Sequence, residues 1–276
     1  MFIDTHCHFW KIDRGDYLWL KPDNETLYKD YLPEHIQSSW KKNGVRGCIA
    51  VQAAATIEET KFLLELAERH EQVLGVVGSL PLSSKEAPSL YHKLRQNPYF
   101  IGVRYTLNSF DTDKWEISEQ LIDNLNLMAQ DGFPIDLLMN ADNIPYVLRL
   151  LDKVPELKTI VNHLGSPSFT DENELWFSQM AKLSQHPHVR CKLSGMITQV
   201  GGYHPHLLRK YVHHLVENFG VSRVMFGSDW PVLLTAGSFD EVTRLFHDVL
   251  PASLIETELE NIRVNNAIDC YQLNVF

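Results

Sequence analysis

Two histidines, His6 and His8, stand at the end of the first apolar run of this 276-residue chain. If that run is a β-strand, its period of two sends both imidazoles to one side and Cys7 to the other, where a free thiol serves as a small apolar residue. Both rings then reach one metal ion or one substrate atom. The same spacing recurs at His186-Pro187-His188 and His204-Pro205-His206, so spacing alone does not define a site. The first of these pairs precedes an apolar run and reads as a surface feature. The second follows one, and its proline at a helix start points to capping.

A third histidine, His163, follows the apolar residues of Val161-Asn162-His163-Leu164-Gly165, and a carboxylate, Asp229, occupies the same place in Phe226-Gly227-Ser228-Asp229-Trp230-Pro231. A carboxylate at the tip of an apolar strand is costly unless it is paired, hydrogen-bonded or catalytic. Three imidazoles and a carboxylate form a set that binds a divalent ion or takes a proton from water. Arg104, in Gly102-Val103-Arg104-Tyr105, and Lys192, in Arg190-Cys191-Lys192-Leu193-Ser194-Gly195, put cations at two further strand ends. Such cations need an anionic or hydroxylated ligand, or an ion pair with an inward acid such as Asp4.

The elements that would position these groups alternate along the chain. Short β-rich runs at residues 2–6, 47–51, 73–79, 100–104, 134–138, 159–162, 189–193 and 223–227 are separated by segments of helical period. In one of these, Phe62, Leu63 and Leu66 share a face. Eight strand–helix repeats predict a single-domain α/β fold over residues 1–276, a (β/α)8 TIM barrel, whose site lies at the C-terminal ends of the strands. A doubly wound open sheet would bring a Gly-rich phosphate turn after the first strand, and His6-Cys7-His8 stands there instead. Ser253-Leu254-Ile255-Glu256 has the form of a capping box and predicts a terminal helix running on through Asn266-Ala267. The loop after the first strand is long and carries Trp10, Tyr17, Trp19 and Tyr28, which a barrel would place at the mouth of the site.

Composition removes several function classes. With 35 acidic against 25 basic residues the net charge is -10, so a nucleic acid would meet repulsion and no counterion release. No apolar run is long enough to span a membrane, and the first residues carry no secretory signal. The 4 cysteines are scattered without a C-x-x-C pair, which predicts neither disulfides nor a thiolate metal site. A cytoplasmic enzyme with a small-molecule substrate is the expectation. The sequence leaves the oligomeric state open, a homodimer among the options.

Taken together, Ile3-Asp4-Thr5-His6-Cys7-His8-Phe9-Trp10, Gly15-Asp16-Tyr17-Leu18-Trp19-Leu20, Gly102-Val103-Arg104, Asn162-His163-Leu164-Gly165, Lys192-Leu193-Ser194-Gly195 and Phe226-Gly227-Ser228-Asp229-Trp230-Pro231 resemble the amidohydrolase superfamily. The branch they are most similar to is the amidohydrolase-2 type group of sugar lactonases, which includes L-fuconolactonase, L-rhamnono-lactonase and pyrone-dicarboxylate lactonase. The resemblance implies a (β/α)8 hydrolase that opens a sugar-acid lactone, with Asp229 as general base. It implies a metal site made from His6, His8, His163 and Asp229, zinc being the ion that suits these ligands. Strand four offers Arg104 and no lysine for a carbamate bridge, and strand five ends in Asn140 with no histidine, so the expectation is one ion and not two. Some lactonases of this branch share these departures and work without a metal, in which case the histidines and Arg104 polarise the carbonyl. Catalysis is thereby assigned to Asp229, His163 and Arg104. Sugar hydroxyls fall to Gln52, Asn140, Lys192 and Ser194, and a sugar face to Trp10, Tyr17 or Trp19. The rival within the superfamily is a metal-dependent decarboxylase, against which the aromatic first loop argues. A non-catalytic sugar-acid binder would have no need of Asp229.

Overall fold

A computed structural model describes residues 1–107, 116–169 and 173–274. Its eight strands run parallel around one sheet in chain order: β1 (Phe2–Cys7), β2 (Val45–Val51), β3 (Val73–Gly78), β4 (Phe100–Thr106), β5 (Ile135–Leu138), β6 (Thr159–Val161), β7 (Val189–Leu193) and β8 (Val224–Phe226). These are the eight runs expected from sequence, shifted by at most two residues at either end. Helices follow as α1 (Gln37–Asn43), α2 (Ile57–Arg69), α3 (Ala87–Leu94), α4 (Glu119–Gln130), α5 (Ile144–Lys153), α6 (Glu174–Ser184), α7 (Met196–Val200), α8 (Pro205–Phe219) and α9 (Phe239–Val249), with α10 (Glu256–Glu260) and α11 (Asn266–Tyr271) at the end. The chain is a single-domain (β/α)8 barrel. Among the described residues no helix is long and apolar enough to cross a membrane.

The barrel closes where β8 returns to β1. Cys7 and Trp230 form a parallel bridge there, His8 N–H donates to the Trp230 carbonyl at 2.7 Å, and Asp229 N–H donates to the His6 carbonyl at 2.8 Å. Buried Asp4 ties the two strands further: Oδ1 accepts from Ser228 N–H at 2.8 Å and His6 N–H at 3.2 Å, and Oδ2 accepts from the Cys7 thiol at 3.0 Å. Gly227 is required at this seam, because a Cβ on it would lie 2.8 Å from the His6 Cβ.

The C-terminal segment closes the barrel at the end where the strands start. Val264, Ala267, Cys270 and Tyr271 pack against Ile3, Ile49, Val77, Ile160 and Met225, forming an apolar cluster apart from the one between strands and helices. The terminal helix begins later than the Ser253 box predicts. Residues 251–254 are used in a turn, Leu254 N–H donating to the Pro251 carbonyl, and the cap is instead Ile255 N–H to Glu258 Oε2 at 3.0 Å. A π-helical turn over Asn261–Asn265 then leads into α11.

Lys192, expected from sequence at a sugar hydroxyl, is turned to this closed end and finds its partners within the protein. It is fully buried, and its Nζ donates to Asp136 Oδ2 and to the Thr5 carbonyl, both at 2.6 Å, while Asp136 Oδ1 accepts from Tyr271 Oη at 2.6 Å. Burial pulls the Lys192 ammonium below its ordinary pKa, and Asp136 opposes that. Removing the partner of a buried charge costs about 3–5 kcal/mol, whereas replacing both partners by apolar groups is far milder. Asp136→Ala should therefore lose stability of that order in urea unfolding, and Asp136→Leu combined with Lys192→Met should recover most of it.

Candidate active site

His6, His8 and Asp229 meet at the seam between β1 and β8. His8 Nε2 lies 3.3 Å and His6 Nε2 3.7 Å from the same oxygen, Asp229 Oδ1, and one ligand atom from each of the three side chains falls within 4.8 Å of the others. Tetrahedral ligands about 2.1 Å from an ion stand roughly 3.4 Å apart, and the two histidine–carboxylate distances lie near that value. The His8 ring is fixed in one sense, since its Nδ1 lies 2.7 Å from the Val51 carbonyl and must donate to it, which turns Nε2 toward Asp229. Both nitrogens of His6 and Oδ1 of Asp229 are buried without a hydrogen-bond partner. A divalent cation held by His6 Nε2, His8 Nε2 and Asp229 Oδ1 would satisfy one of the His6 nitrogens and the carboxylate oxygen together.

His163 stands beside this set and outside it. Its ring centroid is 4.5 Å from that of His6, while its Nδ1 is 2.9 Å from Ser194 Oγ, the same oxygen that accepts the His163 backbone N–H. Gly195 makes room for the ring, as a Cβ there would lie 2.8 Å from His163 Nδ1. His163 and Asp229 both have left-handed backbone, at φ 54° and 63°, a conformation that costs non-glycine residues free energy and concentrates at functional sites.

Burial drives the His6 imidazolium well below its ordinary pKa, with the charges of His163 and Lys192 adding to the effect. Burial likewise lowers His163, to about 4, with Asp229 resisting. Both shifts favour the neutral rings. Burial alone would raise Asp229, but His163, His8 and Arg104 outweigh it and hold the carboxylate ionised. Arg104 is buried beside them; burial brings it down to about 10 against the pull of Asp229. One guanidinium nitrogen donates to the Gln52 carbonyl at 3.0 Å, and its Nε has no partner.

These groups lie in a cavity of about 610 Å3, within the range of small-molecule sites. His8, Gln52, Arg104, His163 and Asp229 line it, and Leu18 and Trp19 form its exposed lip. The remaining residues singled out in the sequence are placed elsewhere. Trp10 is fully buried, its Nε1 donating to the Lys29 carbonyl and its ring meeting Trp19 and Tyr31 edge-on, so it supports the lip from behind. Tyr17 is buried with its hydroxyl on Glu59 Oε2 at 2.6 Å. Ser194 is buried against His163, and Asn140 is exposed in a turn, with its N–H on Asn143 Oδ1. His204 and His206 are exposed, and no side-chain cap bond forms at α8.

Asp16 and Thr56 also line the cavity, and the sequence reading passed over both. The available signal was an acid set among Tyr17, Leu18 and Trp19 in a long loop. That loop is fastened by a backbone bridge between Trp10 and Tyr31 and by the buried Glu59 of α2, which accepts from Tyr17 Oη and from Ala53 N–H and lies 3.5 Å from Arg14.

The class defined by this architecture is a (β/α)8 barrel with histidine and aspartate groups converging at the C-terminal ends of its strands. The chain belongs to the amidohydrolase family Amidohydro_2, which it matches over residues 3–273. It is 34% identical over 242 residues to an L-fucono-1,5-lactonase of Burkholderia ambifaria, covering 87% of this chain and 83% of that protein. With an L-fucono-1,5-lactonase of Burkholderia multivorans it shares 30% identity over 286 residues, covering 98% and 96%. The crystal structure of an amidohydrolase from Burkholderia multivorans with bound zinc superposes with a TM-score of 0.89 at 28% identity, covering 99% of each chain.

Glu59 gives the loop a dependence on pH. Burial raises its carboxyl from 4.5 to about 7, against the hydrogen bonds from Tyr17 and Ala53. Between those values the folded chain keeps a proton that the unfolded chain releases, so this contribution is full below 4.5 and is lost as pH rises through about 7. Relative to Glu59→Gln, the wild type should lose up to about 3 kcal/mol of stability from pH ~4.5 to ~8, read as a falling Tm difference.

Proposed function

We propose that this protein is a hydrolase that opens an aldonic lactone, a cyclic ester of a sugar acid, using water activated by Asp229. The observation that carries this reading is the convergence of unpartnered His6 Nε2 and Asp229 Oδ1 beside the cavity that Asp229 lines, in a chain 34% identical to an L-fucono-1,5-lactonase. Asp229 takes a proton from water as the water oxygen bonds to the lactone carbonyl carbon, a contribution worth typically ~10²–10⁴-fold. Arg104, with its unused Nε, and His163 donate to the carbonyl oxygen as it gains charge. Collapse of the tetrahedral intermediate breaks the ring C–O bond, and Asp229 returns the proton to the leaving oxygen. Gln52 and the half-exposed ring of Trp19 hold the sugar, the indole being pinned by its Nε1 on the Ala53 carbonyl at 2.8 Å. One zinc ion held by His6, His8 and Asp229 completes the proposal, and when bound it supplies Lewis acidity toward the carbonyl and toward water.

A panel of aldonic 1,4- and 1,5-lactones in weak buffer should include a substrate that releases close to one proton per ring opened, because the product acid has a pKa of roughly 3 to 4. Asp229→Asn, folded by circular dichroism, should lower that rate by at least ~10²-fold at equal protein concentration. If wild type and variant are indistinguishable across the panel while a carboxylate substrate loses carbon dioxide, the protein is a decarboxylase. Elemental analysis should find about one zinc per chain, lost in His6→Ala. Two ions per chain, or none with full turnover after chelation, would overturn the metal assignment.

A further inference from the structure

We infer that Asp16 is a specificity-determining residue of this cavity, accepting a hydrogen bond from a hydroxyl of an uncharged polyhydroxy lactone and turning away lactones that carry a carboxylate. The inference rests on the lactonase reading and extends it to the class of lactone. Asp16 and Asp229 line the same cavity from different parts of the chain. Asp16 Oδ2 accepts from Arg14 Nη2 at 2.6 Å and from Thr56 Oγ1 at 3.1 Å, and Thr56 is itself fixed as the N-cap of α2, its hydroxyl oxygen accepting Glu59 N–H at 3.0 Å. Asp16 Oδ1, in contrast, is sheltered from solvent and has no hydrogen-bond partner. A carboxylate oxygen held away from water without a donor is unfavourable, and a side-chain rotation that turns it to a ligand hydroxyl in the cavity relieves that.

The surroundings select for a sugar. Trp19 lines the cavity with Asp16, and a carboxylate acceptor beside an indole ring suits a molecule with hydroxyl edges and an apolar face. Arg14 does not lend its charge to the ligand: its guanidinium is engaged by Asp16 and Tyr17, lies 3.5 Å from Glu59, and stacks 4.6 Å from the Phe62 ring. A second carboxylate brought by the substrate would meet Asp16 in a partly desolvated space, where like charges repel strongly.

Steady-state kinetics of wild type, Asp16→Asn and Asp16→Ala test this, using an aldonic 1,5-lactone, deoxy analogues each missing one hydroxyl, and an aldaric monolactone bearing a free carboxylate. Asp16→Ala should raise KM for the neutral lactone by ~10-fold with kcat changed by less than ~3-fold. That loss should disappear for the one deoxy analogue lacking the contacted hydroxyl, the two changes being non-additive. Asp16→Asn keeps an acceptor oxygen and removes the charge. It should shift the ratio of kcat/KM values by ~10-fold or more toward the carboxylate-bearing lactone. Equal losses on every lactone, or an unchanged ratio in Asp16→Asn, would make Asp16 a brace of the loop and overturn the inference. If wild type opens no lactone, the functional reading fails first, and calorimetry of neutral hexoses with wild type and Asp16→Ala decides the inference separately. Binding weakened ~10-fold by the substitution sustains Asp16 as a hydroxyl acceptor, and equal or absent binding refutes it.

Discussion

The seam between β1 and β8 is the constraint on which the site depends, because the two strands joined there are the first and last of the barrel and each carries part of the chemistry. Asp4 is the centre of that seam. A buried carboxylate is unfavourable unless donors surround it, and Asp4 collects them from both strands: His6 N–H and the Cys7 thiol from one, Ser228 N–H from the other. Each of these donors adjoins a site residue, so the bonds that satisfy Asp4 also set the positions of His6, His8 and Asp229. Gly227 lets the strands approach closely enough for this to occur.

Charge is distributed in two layers inside the barrel. The lower layer, Lys192 with Asp136 and Tyr271, is internally complete and fixes the strands and the C-terminal segment to one another. The upper layer is left incomplete. His6, Asp229 and Arg104 each retain a buried polar atom with nothing to bond to. Buried polar groups in proteins are nearly always paired, and the proposed metal ion and substrate would supply partners to the upper layer.

The fold and the candidate site at the strand ends were legible in the sequence because both rest on local signals. Strand period and the alternation of strands with helices give the barrel, and a histidine or carboxylate at the tip of an apolar run, as in His163 and Asp229, has few structural explanations. Lys192 looked equally exceptional, yet its partner Asp136 lies on β5, two strands away, and a pairing across the barrel leaves no trace in spacing. The aromatic loop was legible as a feature of the site but not ring by ring. Whether Trp10 or Trp19 meets the cavity depends on which carbonyl, that of Lys29 or that of Ala53, receives the indole N–H. Asp16 was hidden for the opposite reason: an acid in a surface loop is ordinary, and only the occupied and vacant sides of its carboxylate distinguish it.

The C-terminal segment packed against the start of the strands has a consequence for biosynthesis. During translation the chain emerges from Met1 onward, so β1 waits for a partner more than 200 residues away in sequence, and such distant contacts slow the closure of a fold. Even when β8 has arrived, the apolar interior formed by Ile3, Ile49, Val77 and Met225 stays uncovered until Val264 through Tyr271 leave the ribosome. The nascent protein thus carries an exposed greasy ring until that segment has been made. A stop codon ahead of Val264 would leave the ring permanently open, with Lys192 and Asp136 beneath it deprived of the Tyr271 hydroxyl, and such a product is fitter for aggregation or degradation than for use.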